Sequence, residues 1–275
     1  IYRPDDDAQH PVLLQRTPYS KSNAWFVAGL MVNPLVAAER GYVVVVQDTR
    51  GRFQSEGTWL PLVDDGRDGY DTVEWAAAQS WSNGNVGMFG SSYMGITTLQ
   101  AAIAAPPHLK AVLSYLTPAN YHSGGMYSGG AFELGFCLWW TTFMCWDTLN
   151  HMNIERPARR ALTQKLVEVA ADQWKAARYM PLRDIPAFQN EVAPYWREWL
   201  NHPAYDEFWQ SVDVAAHAAA IKAPVLLIGC WSANFLRGHL DLHAQLQRHP
   251  DEQVRRSHRL IIGPWSHANP TDWQG

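Results

Sequence analysis

The chain has 275 residues, of which 47% are hydrophobic and 17% charged, and its formal net charge is -4. Enough apolar surface is present to fill a core, which excludes a disordered chain, and no run of about 18 apolar residues spans a bilayer. No basic block or stripe marks a nucleic-acid binder, and no glycine period, heptad or repeat of roughly 20–50 residues points to a fibre or solenoid.

The elements alternate. Val12–Arg16 and the β-branched run Tyr42–Asp48 read as buried strands. Asp64–Gln79 starts with acids and carries Tyr70, Val73 and Ala77 on one face, so a helix is expected there. Asn85–Phe89 is a short strand. The alanine-rich Tyr93–Ala105 is a helix stopped by Pro106-Pro107. Lys110–Leu116 is a strand again.

The alternation then breaks at Gly124-Gly125 and Gly129-Gly130, and residues 131 to 210 read as helical. It resumes with the strand Pro224–Gly229, a helix over Leu236–Arg248 and a last strand over Ser257–Gly263. Strands alternating with helices imply an α/β fold, a mostly parallel sheet with helices on both faces. The organisation expected is a core from 1 to 123, a helical cap over 124–212, and the rest of the core from 213 to 275. Sites in such sheets form at the carboxyl ends of the strands.

Seven of the 14 tryptophans, Trp139, Trp140, Trp146, Trp174, Trp196, Trp199 and Trp209, fall in the helical block. Packing explains most of them, because tryptophan buries a large area. A subset is expected to wall a ligand pocket. Cys137, Cys145 and Cys230 make neither a disulfide framework nor a zinc cluster, which points to a reducing, cytoplasmic compartment. The chain opens on Ile1 rather than methionine, so a removed leader stays open.

One strand-to-helix loop carries chemistry. Asn85–Phe89 runs into Gly90-Ser91-Ser92-Tyr93-Met94-Gly95 and then a helix. A serine on such a sharp turn stands above the sheet edge, and small neighbours relieve the crowding. The pattern is G-x-S-x-x-G, with the last glycine one place late. A turn with a capping serine is the plainer alternative. Ser92 is preferred over Ser91 because a glycine lies two places before it. The last strand ends at Gly263-Pro264-Trp265-Ser266-His267. A histidine in that loop suits a general base, because its ordinary pKa lies near neutrality.

Together these residues resemble a known family. Arg16–Lys21 (RTPYSK), Gln47–Gly51 (QDTRG), Ser55-Glu56-Gly57, Asn85–Gly95 and Gly263–His267 resemble the cocaine-esterase and X-prolyl dipeptidyl aminopeptidase family of α/β-hydrolases, over nearly the whole chain. The resemblance implies an α/β-hydrolase fold, Ser92 as nucleophile and His267 as base. It also implies an oxyanion hole made by the Tyr19 hydroxyl and the Tyr93 backbone N–H, two donors worth roughly 10²–10³-fold each in rate. Asp48 and Arg50 are read as a pair pinning the loop beside the site. Trp139, Trp140, Trp231, Phe235 and Trp265 are the expected substrate pocket.

The resemblance has two departures. The family carries an aspartate in a Gly-Trp-Tyr-Asp-x-Phe loop, and here Gly229–Phe235 reads GCWSANF, with Ser232 and Ala233 at the Tyr-Asp places. Loss of that acid typically costs about 10⁴-fold. Asp241, Glu133, Asp147, Asn234 and Ser232 are the candidate substitutes, beside a plain Ser-His dyad. Family members also carry a jelly-roll domain after the histidine and strands before this start, whereas this chain ends eight residues past His267. It therefore reads as a catalytic piece or a reduced variant, and its exposed apolar surface would favour a homodimer.

The expected function is hydrolysis of small-molecule carboxylic esters of bulky hydrophobic or aromatic acyl groups, through an acyl-enzyme and with no cofactor. An X-Pro dipeptidyl aminopeptidase or α-amino acid ester hydrolase is the alternative within enzymes. A catalytically impaired hydrolase-fold binding protein is the alternative outside them. His239-Leu240-Asp241-Leu242-His243 resembles a metal motif, but Asp241 leaves the helix face shared by the two histidines, so no metal is expected.

Overall fold

The structure is a computed structural model that describes residues 1–23 and 32–267. Six parallel strands form the main sheet in the order β2-β1-β3-β4-β7-β8. They are β1 (His10–Thr17), β2 (Val43–Asp48), β3 (Ser82–Ser91), β4 (Leu109–Tyr115), β7 (Val225–Cys230) and β8 (Arg259–Gly263). The remaining two, β5 (Tyr127–Ser128) and β6 (Ala131–Phe132), make a separate hairpin. β2 is a valine run because most of its residues are buried, as parallel strands covered on both faces require.

The connecting helices of the first half are α1 (Pro34–Glu39), α2 (Asp65–Ala77) and α3 (Tyr93–Ala104). From Tyr93 to Ala102 every residue of α3 is buried. This explains its alanine-rich, almost uncharged sequence. Between β4 and β7 lie α4 (Leu134–His151), α5 (Arg156–Ala171), α6 (Gln173–Ala177), α7 (Pro194–Asn201) and α8 (Glu207–Val212). The tryptophans here divide as packing demands. Trp196, Trp199 and Trp209 are almost completely buried, whereas Trp139, Trp146 and Trp174 are substantially exposed. The chain closes with α9 (Leu236–Leu246), α10 (Glu252–Ser257) and β8.

The expected elements are present with shifted ends. β3 extends back to Ser82 because Ser82 pairs with His10 of β1. The last strand starts at Arg259 rather than Ser257, because α10, a short helix capped by Asp251, takes the residues before it.

The strand order positions the site. The chain moves outward from β1 to β2, then returns to place β3 on the other flank of β1. Connections reverse direction there, and such a switch point leaves a crevice at the strand ends. β3 ends in that crevice at Ser91.

Candidate active site

Ser92 joins β3 to α3 with φ 54° and ψ −124°, a region that costs a non-glycine residue about 1–3 kcal/mol. The surroundings enforce it. The Ser92 N–H donates to Tyr115 O at 2.9 Å, while its carbonyl accepts from Gly95 N, Ile96 N and Thr117 Oγ1. The two flanking glycines are steric requirements. A Cβ on Gly90 would lie 2.2 Å from Met94 O, and one on Gly95 would lie 1.9 Å from Thr117 Oγ1. The late glycine of the motif is therefore the place where α3 meets the end of β4.

His267 follows β8 and brings Nε2 to 3.2 Å from Ser92 Oγ. Burial lowers its pKa from 6.5, which favours the neutral imidazole. Its ring meets Phe235 edge-on at 5.3 Å. Its Nδ1 is buried and has no hydrogen-bond partner among the described residues.

Of the candidate substitutes for the acid, Asp241 and Asp147 are engaged elsewhere. Asp241 pairs with Arg237 at 3.6 Å on the surface. Asp147 pairs with the buried Arg52 at 3.2 Å and accepts from Phe53 N. Glu133 sits at the N-cap of α4, and Ser232 and Asn234 are exposed. Ala233 packs with Trp265 against Tyr115, Leu116 and Cys230, so the family's acid position is apolar in this chain.

Tyr19 lies beyond the end of β1, almost fully buried. Its hydroxyl accepts from Trp140 Nε1 at 3.1 Å and is hydrogen-bonded to Ser92, while burial pushes its pKa up to about 12. Tyr93 starts α3, where a backbone N–H has no acceptor within the helix. Its side chain anchors that start: the hydroxyl donates to Asp65 Oδ2 at 2.7 Å and accepts from Leu62 N at 2.9 Å. Asp65 is itself buried beside Arg16.

Asp48 and Arg50 do not pair with each other, a correction to the sequence expectation. Asp48 takes Lys21 Nζ at 2.7 Å and Gln54 N, tying the Tyr19 loop to residues 48–55. Arg50 reaches across to Asp68 on α2. Arg50 lies in the turn beyond the end of β2, so the strand's alternation does not set its direction and it reaches α2 instead.

A pocket of about 30 Å³ opens beside Ser92, lined by Tyr19, Tyr93, Ile96, Pro118, Met126, Phe136, Trp140 and Phe235. Trp140 and Phe235, two of the five residues expected at a substrate pocket, are among its lining. The other three expected residues do not line it. Trp139 is 51% exposed on the outer side of α4, stacked on Phe143, and Trp231 is 65% exposed. Trp265 folds back over Gly263 and Ala233. Sequence reasoning missed Ile96, Pro118 and Met126, which carry no polar signal. It also missed Arg52, almost fully buried with its guanidinium 4.5 Å over Trp59. A larger cleft of about 510 Å³ lies past Trp59 and Tyr195, lined also by His151 and Glu191, and does not include Ser92.

The metal-like motif on α9 is a packing feature. His239 is fully buried, accepts from Thr117 N at 3.3 Å and has its pKa pushed down to about 4 by burial. Among the described residues no group of three or more His, Cys, Asp or Glu is placed to hold a metal ion. None of the described helices is long and apolar enough to cross a membrane.

A parallel sheet whose switch point presents a serine elbow to a histidine from the last strand's loop defines the α/β-hydrolase fold. Residues 1–269 match the family described as X-Pro dipeptidyl-peptidase (S15 family), and the chain belongs to that family. It is 35% identical over 272 residues to the cocaine esterase of Rhodococcus sp. (strain MB1 Bresler), covering 98% of this chain and 46% of that protein. A CocE/NonD family hydrolase from Staphylococcus aureus superposes with a TM-score of 0.69 at 25% identity, covering 96% of this chain and 43% of that one. An aminopeptidase from a marine sediment archaeon, Thaumarchaeota archaeon, superposes with a TM-score of 0.69 at 24% identity, covering 97% of this chain and 45% of that one; at that identity the likeness concerns the fold. The chain spans about half the length of the relatives it matches.

Proposed function

We propose that this chain is the catalytic part of a serine hydrolase that cleaves small-molecule carboxylic esters through an acyl-enzyme. The contact between His267 Nε2 and Ser92 Oγ on the strained elbow carries the reading. In this mechanism His267 takes the Ser92 proton as the serine attacks the ester carbonyl. The Tyr19 hydroxyl and the Tyr93 N–H stabilise the tetrahedral oxyanion. His267 then protonates the leaving alcohol, and water, deprotonated by His267, releases the acid.

Among the described residues the pocket beside Ser92 has no charged side chain in its lining, which supports an uncharged, apolar acyl group. A substrate with a free α-ammonium needs a carboxylate there, so the lining favours the esterase reading over the aminopeptidase or α-amino acid ester hydrolase reading. A pocket of about 30 Å³ is about the size of one water molecule, so in this proposal an acyl group enters only as the lining side chains move aside. The lone Nδ1 of His267 favours one other reading, an impaired hydrolase fold that binds without turnover.

Residues 124–212 act in this proposal as a cap whose helix α4 supplies Phe136 and Trp140 to the pocket. The half-exposed Trp139, Phe143 and Trp146 along α4 support a homodimer, to be checked by light scattering. The free, buried Cys137, Cys145 and Cys230 support a reducing, cytoplasmic compartment.

Hydrolysis of p-nitrophenyl butyrate by the chain and by Ser92→Ala tests the function. Turnover lost in Ser92→Ala supports it, and turnover unchanged in Ser92→Ala overturns it. Binding of the ester without Ser92-dependent turnover selects the impaired reading.

A further inference from the structure

Trp140 touches both residues of the candidate oxyanion hole. Its indole N–H donates to Tyr19 Oη at 3.1 Å. Its ring stacks on Tyr93 with centroids 5.8 Å apart and an interplanar angle of 13°. The indole is itself held by other rings: Trp199 stacks at 5.8 Å, and Trp59 and Tyr195 lie 5.7 Å and 5.9 Å away. Trp140 is 6% exposed, so few rotamers are open to it.

The donor pattern has a consequence for Tyr19. An indole nitrogen only donates, whereas a tyrosine hydroxyl has one proton and accepting lone pairs. With the indole N–H occupying a lone pair, the hydroxyl proton cannot point at Trp140. The hydroxyl is also hydrogen-bonded to Ser92, so its proton can point to the side where a tetrahedral oxyanion would form. A donor feeding the oxygen also polarises the O–H and strengthens its own donation. The competing contribution of Trp140 is steric, since the same ring lines the pocket beside Ser92.

We propose that Trp140 is a positioning residue for the oxyanion hole: its N–H orients and strengthens the Tyr19 hydroxyl, while its ring fixes the start of α3 that presents the Tyr93 N–H. The inference deepens the proposed serine mechanism and rests on it. The orienting effect belongs to the transition state, because charge on the oxyanion develops only there. It therefore acts on kcat, whereas a pocket-lining role acts first on KM.

The test is a double-mutant cycle on the full chain, with kcat and KM for p-nitrophenyl butyrate measured separately. Trp140→Phe keeps an aromatic ring and removes the N–H. It is expected to lower kcat by roughly 5–10-fold, the scale of one hydrogen bond, with KM changed by less than about twofold. In a Tyr19→Phe background the same substitution is expected to change kcat by less than about twofold, because the hydroxyl it orients is gone. An equal loss in both backgrounds, or a loss confined to KM, overturns the proposal.

If Trp140→Phe fails to fold, benzothienylalanine at position 140 replaces the N–H by sulfur with the ring outline kept, and the same two outcomes decide. Ser92→Ala separates the failures. Ser92-dependent turnover with additive Trp140 and Tyr19 effects overturns the orienting role alone. Turnover independent of Ser92, or none at all, overturns the serine mechanism and this inference with it.

Discussion

The two halves of the site are held in different ways. On the elbow side every candidate group is over-determined. Ser92 has its backbone bonded at both ends, Tyr93 is anchored by Asp65 and Leu62, and Tyr19 is held by Trp140. On the histidine side, His267 has the Ser92 contact through Nε2 and an Nδ1 with no partner among the described residues, and the neighbouring loop offers Ala233 in an apolar cluster between exposed Ser232 and Asn234. In the proposed mechanism the groups that would meet developing negative charge are built in, while among the described residues no hydrogen-bond partner orients the histidine that would move the proton. Electrostatic stabilisation of the oxyanion is usually the larger contribution. Under that mechanism such a site would keep its complementarity to the transition state while losing speed in proton transfer.

The largest effects test the completeness of the elbow side. Ser92→Ala is expected to lower kcat for p-nitrophenyl butyrate by about 10⁴-fold or more, read by steady-state kinetics. Tyr19→Phe removes one oxyanion donor and is expected to cost roughly 10²–10³-fold in kcat with the fold intact by circular dichroism. A loss of less than fivefold would show that the elbow side is less complete than its contacts suggest.

The opposite sign is expected on the histidine side. Ala233→Asp places a carboxylate in the loop beside His267 and is expected to raise kcat/KM by on the order of 10–10²-fold, a fraction of what a triad acid contributes. A neutral or harmful result would locate the deficit elsewhere, because the carboxylate also displaces apolar contacts to Trp265.

The pH profile sharpens the same contrast. His267 must be neutral to act as base, and burial depresses its pKa. Activity should therefore fall as pH drops through that lowered value, putting the acid limb of kcat/KM below 6.5. In Ala233→Asp the carboxylate favours the imidazolium, so the limb should move to higher pH. The smallest effect on chemistry is expected from Gly95→Ala, which drives a Cβ into Thr117 and should cost about 3 kcal/mol of stability, read by thermal denaturation.

The same contrast governs what the sequence made legible. Ser92 and His267 were readable because local patterns place them: a serine between glycines at a strand end, and a histidine after the last apolar strand. The α/β alternation was readable from β-branched runs such as Val43–Val46 and from the proline stop at 106. The Tyr19–Trp140 contact joins residues 121 positions apart, and no local pattern encodes it. α4 is apolar nearly all round, LGFCLWWTTFMCWDTLNH, so its sequence does not say that Trp140 faces inward and Trp139 outward. Trp231 and Trp265 were misplaced for a related reason. Being next to a functional loop does not settle where a side chain points. The partners of Asp48 and Arg50 were hidden because each is set by another element, Lys21 in one case and Asp68 on α2 in the other.

The most direct test of the central claim is covalent labelling. The chain is incubated with a fluorophosphonate that phosphonylates activated serines, and the adduct is located by intact mass and peptide mapping. The account predicts a single adduct on Ser92, absent in Ser92→Ala and formed much more slowly in His267→Ala. Labelling of another residue, or a chain left unlabelled under conditions that modify a control serine hydrolase, would contradict it.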